Sequence, residues 1–545
     1  MLRHFLDETR AIGLVSCHIA RSKPFPLYQR SVKSSPPRNA SRGARQQLMR
    51  RYVSTLRRPQ TLVLSDAQRN TIYALSTPPG KAGVAVVRIS GPDALQVWRD
   101  MVLRKGTGKE QSPMPWKMYR CDVRHPRSQE LLDSGLAVYF KGPRSFTGED
   151  VVELHIHSGR AIISSVLDAL ASEPTCRLAE PGEFTRRAFE VGRLDLTEVE
   201  GLHDLINAET ASQRKAALQA AGGHLKTYFE NLRQDILRSL SLVEALIDFS
   251  EEDIEEGVYD QAKDLATRAA ENIKKILSDY RKGEILRSGV NLAIFGPPNA
   301  GKSSLLNLLA QREAAIVTDV PGTTRDVLEL FLDIDGLPVI IADTAGIRET
   351  EDVVEKIGVE RATNVVAGAD MALCVLSLPE LLQRSHDIRG IEIPKDISQM
   401  ISPQNTLVLL NKSDLLSSRQ VVQADDVANH LKETLGIEKV WPVSISTQAG
   451  FPTFIQEFGN LLKNRYDGSD TYGGYDAPLV TNARHRGHLQ SALQFLQAFL
   501  DEPDNDIVVA AEELRYAAQA IGKITGRIDV EDILDVIFRD FCIGK

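Results

Sequence analysis

A chain of 545 residues with 42% hydrophobic and 25% charged residues has ordinary globular composition and room for about three domains. It lacks any apolar run near the roughly 18 to 20 residues that cross a bilayer as a helix, so a soluble protein is expected. Five scattered cysteines without CxxC spacing argue against a disulfide framework and against a zinc site, and suit a reducing compartment.

The net charge of -8 is unevenly spread. Residues 1–60 hold eleven Arg, two Lys, seven Ser and two acids, about +11, which leaves about -19 on the remainder. Arg-rich, Ser-rich and acid-poor is the makeup of a mitochondrial import peptide, expected here over residues 1–66 and without stable structure; a disordered basic arm that binds nucleic acid is the other reading. The acidic body should not hold RNA strongly alone, since phosphate binding needs neutralising cations.

An α+β domain is expected over residues 67–189. Asn70 to Arg88 reads as a strand, a Pro78-Pro79-Gly80 turn and a β-branched strand from Val84 to Ile89. Leu136 to Phe140 and the alternating Val151 to His157 follow as strands. The period then changes: Leu225, Phe229, Leu232, Ile236, Leu240, Val243 and Ile247 mark one face of a long helix. Ile533, Ile537 and Phe541, with Leu534 and Phe538 beside them, repeat that character near the end. Residues 190–285 and 466–545 are therefore expected to form one discontinuous all-α domain, interrupted by an α/β segment over 286–465.

Within that segment Leu292 to Phe295, Val339 to Ala342, Ala372 to Leu376 and Leu407 to Leu410 read as buried parallel strands, each leading into a polar motif. Asp335-Gly336 signals a hairpin. Gly296, Gly301, Lys302 and Ser303 fulfil GxxxxGK[ST] between a strand and a helix, the P-loop in which backbone amides cradle phosphates, Lys neutralises them and Ser ligates Mg²⁺. Thr324 can close over the γ-phosphate and add a second Mg²⁺ oxygen, while Asp343 and Gly346 of Asp343-Thr344-Ala345-Gly346 sense the metal and that phosphate. Asn411, Lys412 and Asp414 complete the set, because a carboxylate accepts from guanine N1–H and its amine and adenine lacks that donor pair. Ser444, Ile445 and Ser446 are expected to finish the base pocket through a backbone amide. The sequence thus predicts a P-loop GTPase.

Ile347 follows Gly346, so no glutamine stands there to orient water. Arg325 and Arg348 are possible fingers, and Asn299, with carbonyls of Thr318 to Gly322, can hold a monovalent cation such as K⁺ where a finger would sit. Stabilising the turn is the plainer role for Asn299.

These residues and further motifs resemble the MnmE (TrmE) family of tRNA-modifying GTPases, in a mitochondrial member, from Asn70 to Lys545. The motifs are Thr77-Pro-Pro-Gly80, Val87-Arg-Ile-Ser-Gly91, Phe146-Thr-Gly-Glu-Asp150, Glu180-Pro-Gly-Glu-Phe184, Gly322-Thr-Thr-Arg-Asp326 and Phe541-Cys-Ile-Gly-Lys545. The resemblance implies a homodimer whose N-terminal domains bind 5-formyl- or methylene-tetrahydrofolate and whose GTPase is stimulated by K⁺. It also implies an FAD-containing partner of the MnmG (GidA) type, FAD being on that partner. Together they would place a carboxymethylaminomethyl-type or taurinomethyl-type group on the wobble uridine of tRNAs in the mitochondrial matrix.

On the same resemblance, Asn299, Thr318, Val320 and Thr323 hold K⁺, and Ser303 and Thr324 hold Mg²⁺. Glu355 orients the attacking water, although read alone it is one acid of a solvated face. Ala300 and Ser304 join the phosphate loop, and Arg88, Glu153, Arg193 and Lys545 contact folate. Arg193 stands where some relatives have lysine, which keeps charge but not point-charge geometry. Cys542 is either a nucleophile or a structural residue. His155 and His157 read as packing or folate-pocket residues rather than metal ligands, and the acidic run from Ser250 to Glu256 as a solvated helix start. The rival readings are a ribosome-assembly or RNA-binding GTPase switch, and a folate-binding scaffold with incidental GTPase activity.

Overall fold

The computed structural model describes residues 71–104, 112–248, 257–278, 280–312, 329–342, 363–384, 391, 393–416, 424–466, 482–502, 506–528, 537–538, 541 and 544. The expected import segment, the acidic run, Ile533 and Leu534 lie outside them.

A mixed seven-stranded sheet forms first, from β1 (Thr71–Leu75), β2 (Ala85–Ser90), β3 (Val102–Arg104), β4 (Met118–Arg124), β5 (Leu131–Phe140), β6 (Val151–Ile156) and β7 (Cys176–Leu178), in the order β3-β4-β5-β6-β2-β1-β7. Its pairs are antiparallel except for β1 with β7. Alternation sends Ala85, Val87 and Ile89 to a buried face, where α1 (Ala94–Met101) packs Ala94, Val97, Trp98 and Met101, and α2 (Arg160–Ala171) packs Val166, Ala169 and Leu170. The opposite face carries Arg88, directly across from Glu153. Val84, expected to open β2, lies before it and is 55% exposed. Phe184, on α3 (Glu183–Glu190), packs against Ile72 and Ala74 of β1.

Helices follow: α4 (Leu196–Ile206), α5 (Ala211–Ala221), α6 (His224–Asp248), α7 (Val258–Ser278) and α8 (Tyr280–Ser288). The α6 stripe is buried from Leu225 to Val243, whereas Ile247 is 44% exposed. Hydrophobic period says which face turns inward, not how far the covering helices reach. Capping boxes start α4 at Asp195 with Glu198 and α5 at Thr210 with Gln213.

The second sheet contains β8 (Val290–Phe295), β9 (Glu329–Ile334), β10 (Leu337–Ala342), β11 (Met371–Ser377), β12 (Thr406–Asn411) and β13 (Val440–Pro442), in the order β13-β12-β11-β8-β10-β9. All pairs are parallel except the β9–β10 hairpin, which turns at Asp335-Gly336 as the sequence predicts. β11 and β12 are buried at every residue because apolar cores lie on both faces. Helices of this region include α9 (Lys302–Arg312), α10 (Leu378–Arg384), α11 (Lys395–Ser398), α12 (Ala424–Leu435) and α13 (Phe451–Tyr466). Parallel pairing places the segments after β8, β10, β12 and β13 on one edge of the sheet.

The chain then returns to the first helices. α14 (Ala483–Asp501) and α15 (Ile507–Ile524) put Leu489, Leu496, Phe499, Leu514 and Ile521 into one core with Phe229, Ile236 and Ile273. A buried ion cluster reinforces the junction. Glu200 of α4 accepts from Arg484 Nε and Nη2 at 2.9 Å each and lies 2.7 Å from His485 Nε2. The same guanidinium donates to the carbonyls of Lys523 and Ile524 at the end of α15, both at 2.9 Å. Phe538 and Phe541 pack on Leu196 and Val199. The architecture is thus an N-terminal α+β sheet domain, an all-α domain built from both sides of an insertion, and an inserted α/β domain.

Candidate functional site

Two places gather the sequence-derived residues: the carboxyl edge of the second sheet, and the open face of the first. At the former, β8 ends at Phe295 and the chain turns through Gly296 (φ 145°) and Gly301 (φ 105°) into α9. A Cβ on Gly296 would collide with the Val375 carbonyl of β11, and one on Gly301 with the Asn411 amide. The loop can lie this close to its neighbours only with glycine at both positions. Asn299 sits between them, exposed and at φ 58°, a left-handed conformation that asparagine tolerates.

Lys302 Nζ arches back over this loop and donates to the carbonyls of Gly296 at 3.0 Å and Pro297 at 2.9 Å. Burial lowers its pKa from the usual lysine value. Ser303 and Ser304 are exposed on the first turn of α9, where helical N–H groups have no intrahelical acceptor. Ala300 is fully buried beneath them.

Asn411, at the end of β12, ties the edge together. Its Nδ2 donates to Ala300 O at 2.8 Å and its Oδ1 accepts from Ile445 N at 3.1 Å, both buried. Lys412 follows at φ 66° and lies 3.3 Å from Glu380. Asp414 is exposed, with Ser444 Oγ donating to one carboxylate oxygen at 2.6 Å and Ser446 Oγ to the other at 3.0 Å. These bonds, led by Ser444, hold its carboxyl below the usual aspartate range. The Ser444 and Ile445 amides are engaged by Ala449 O and Asn411 Oδ1, and the Ser444 and Ser446 hydroxyls address Asp414. Thr318, Val320, Thr323, Thr324, Asp343, Thr344, Ala345, Gly346 and Glu355, as well as Arg325 and Arg348, lie outside the described residues.

On the first sheet, Arg88 Nε donates to Glu153 Oε1 at 3.0 Å, so the two predicted ligands are each other's partners. Burial would raise the Glu153 carboxyl, but His155 and Arg88 outweigh it and lower its pKa. The Arg88 guanidinium stacks 5.5 Å from the Phe146 ring and 5.8 Å from the Phe184 ring. From the far end of the chain, the Gly544 carbonyl accepts from Ser76 Oγ at 3.0 Å and from Arg88 Nη1 at 3.4 Å. The rings were missed as site residues, although they open and close two of the quoted motifs. Arg193 is exposed on the turn after α3, and no contact joins it to Arg88 among the described residues. Cys542 and Lys545 lie outside them. His155 faces Glu153 and His157 faces Asp133, and no group of three possible metal ligands occurs among the described residues.

Two family models match the chain. The family model described as the MnmE helical domain matches residues 196–542, and the model described as the GTP-binding protein TrmE N-terminus matches 71–193. The 5-taurinomethyluridine-tRNA synthase subunit GTPB3, mitochondrial, of Danio rerio is 46% identical over 87% of this chain and 93% of its own length. The tRNA modification GTPase MnmE is 43% identical in Rickettsia rickettsii (strain Sheila Smith) and 44% in Rickettsia bellii (strain RML369-C), over 87% of this chain and 100% of each relative. Among solved structures, a GTP-binding protein of Sulfolobus solfataricus in complex with GDP aligns at a TM-score of 0.25 and 17% identity over 55% of this chain and 85% of that one, too loosely to bear on the fold. With relatives this similar along nearly all of their length, the chain belongs to the MnmE (TrmE) family of tRNA-modification GTPases.

Proposed function

We propose that this GTPase works as a homodimer in the mitochondrial matrix with an FAD-containing partner of the MnmG (GidA) type. On this reading the complex builds a carboxymethylaminomethyl-type or taurinomethyl-type group on the wobble uridine of organellar tRNAs, with a one-carbon unit drawn from a folate. The name of the Danio rerio relative, a mitochondrial synthase subunit, and the basic first 60 residues support the compartment and the shared labour. The observation that carries the folate reading is the convergence on one sheet face of the Arg88–Glu153 pair, two phenyl rings and the Gly544 carbonyl. A flat pterin with an amide edge and a glutamate tail is recognised by aromatic surface, a carboxylate and cations; Arg193 and Lys545 are proposed to add to the cationic side.

At the nucleotide site, the amides after Gly296 and the ammonium of Lys302 are proposed to hold the phosphates, and Asp414 the guanine edge. The crowding at Gly296 and Gly301 fits a bare backbone cradle of this kind. Ser303 and Thr324 would hold Mg²⁺, with Asp343 reaching it through water; the metal supplies neutralising charge to the phosphates. Asn299, with Thr318, Val320 and Thr323, would hold K⁺, which supplies positive charge near the β,γ-bridge. Glu355 would orient the water that attacks.

Mass spectrometry of wobble nucleosides tests the whole reading. Organellar tRNA from cells lacking this protein should lose the modified uridine, and full modification would overturn the proposal. The cation site has its own check: GTP turnover should be at least about tenfold faster in K⁺ than in Na⁺ at equal ionic strength, the scale of a modest charge stabiliser. Equal rates would remove K⁺ from the site.

A further inference from the structure

A chain of hydrogen bonds runs behind the two rings that flank Arg88. It starts on the strand that carries Arg88: two residues on, and therefore on the same face of β2, Ser90 Oγ lies 2.6 Å from Thr147 Oγ1 and donates to Glu149 Oε2 at 2.8 Å. Thr147 directly follows Phe146. Glu149 accepts from Arg187 Nη1 at 3.0 Å, and the same guanidinium donates from Nη2 to Glu183 Oε1 at 2.9 Å. Glu183 directly precedes Phe184, and its other oxygen accepts from Arg177 Nη1 of β7 and from the Glu180 amide, both at 2.9 Å. Arg187 thus ties the loop carrying Phe146 to α3, which carries Phe184, while Ser90 ties both to the strand beneath Arg88.

The Arg187 and Glu183 side chains are 5% and 8% exposed. Apolar side chains of similar volume would stabilise such a place about as well, since desolvation offsets most of the attraction between buried charges. What an apolar pair lacks is direction, whereas a guanidinium fork meets its carboxylates at fixed angles. Burial would raise the Glu183 carboxyl, but Arg177, the Glu180 amide and Arg187 outweigh it and hold it below the usual glutamate range, so the pair stays charged. Packing alone fixes the two rings unequally: Phe184 is fully buried against Ile72 and Ala74, and Phe146 is only partly buried at the edge of that cluster.

We infer that Arg187 is a positioning residue that sets the place of the Phe146 ring relative to Phe184 and Arg88, and so the aromatic surface offered to a flat heteroaromatic ligand. It touches no ligand in this role. The class of ligand rests on the folate reading of Arg88 and Glu153; the placing of the ring does not.

The test labels the Phe146 ring of the full chain with fluorine and follows its resonance, alongside the affinity for 5-formyl-tetrahydrofolate by calorimetry. Arg187→Lys keeps the charge but cannot span two carboxylates as a fork. In that variant the resonance should move or split, and folate should bind about tenfold more weakly, the scale of one lost orienting bond. Glu149→Gln alters a side chain that is 25% exposed, a milder change that leaves the Arg187–Glu183 pair in place. It should move the resonance too and weaken folate by about three- to fivefold, with GTP affinity unchanged in both variants. A network that only stabilises the domain would lower the unfolding temperature and leave the resonance and the affinity of the folded protein as they were. Wild-type resonances in both variants overturn the inference. A displaced ring without any change in folate affinity supports the positioning and counts against the folate reading instead.

Discussion

Replacing Asp414 with alanine is expected to weaken GTP binding by about 10²- to 10³-fold, read as Kd by titration calorimetry. The carboxylate accepts two charge-assisted bonds from the guanine edge, each worth roughly 1.5–3 kcal/mol, part of which water restores in the variant. Ser444 and Ser446 aim the two oxygens and keep the group ionised, so Ser444→Ala should cost a smaller factor, about tenfold, through lost orientation. Asp414→Asn makes a sharper forecast. An asparagine amide repels the guanine amine but donates to a carbonyl at that position, so the preference should move toward xanthine nucleotides. Unchanged guanine affinity in Asp414→Ala would remove this residue from the base pocket.

Glu200→Gln should be the most destabilising of the simple substitutions in the helical domain. The carboxylate is 7% exposed and is bound by Arg484 and His485, and removing one partner of a buried pair typically costs about 3–5 kcal/mol. Arg484 keeps its bonds to the Lys523 and Ile524 carbonyls, which places the expected loss near the lower end. Because the protein has several domains, the loss is read from the transition of the helical core in urea, followed by exchange of the α14 and α15 amides. The same cluster dictates a pH dependence. Burial alone would raise the Glu200 carboxyl, but His485 and Arg484 pull it down to about 2 from the ordinary 4.5. A depressed carboxyl stabilises fully above the unfolded value and loses that contribution as pH falls from about 4.5 to 2, on the order of 3 kcal/mol in all. His488 acts earlier. Burial, then Arg484 and Lys523, depress it to about 4 from 6.5, so the unfolded chain binds the extra proton first and stability starts to fall below pH 6.5. A stability flat from pH 7 to 3 would contradict both assignments.

The meeting of the two candidate nucleotide loops was legible because each motif is local. Gly296 through Ser303 is one loop, Asn411 through Asp414 another, and parallel strands bring them to one edge without further information. The structure adds what the sequence did not address: the Asn411 side chain spends its hydrogen bonds on Ala300 and Ile445, and Ser444 and Ser446 hydroxyls hold Asp414. The interrupted helical domain was expected from the stripe at Ile533, Ile537 and Phe541, whereas the core it shares with α6 and α7 is built by α14 and α15, whose stripes the sequence reading did not single out. What the sequence could not show are partners hundreds of residues apart. Glu200 and Arg484 are separated by 284 positions and Arg88 and Gly544 by 456, and no local propensity marks either member for the other. The Phe146 and Phe184 rings were hidden for a related reason: a lone phenylalanine reads as core until the fold places a guanidinium over it.

Turnover of GTP and ATP by the purified full chain, at equal concentration with Mg²⁺ and K⁺ present, probes the account where everything else depends on it. GTP should be hydrolysed at least about 10² times faster than ATP, since the Asp414 carboxylate finds its donor pair only on guanine, and Lys302→Ala should abolish the activity. Comparable hydrolysis of the two nucleotides, or a Lys302→Ala protein that turns over GTP as the wild type does, would contradict it.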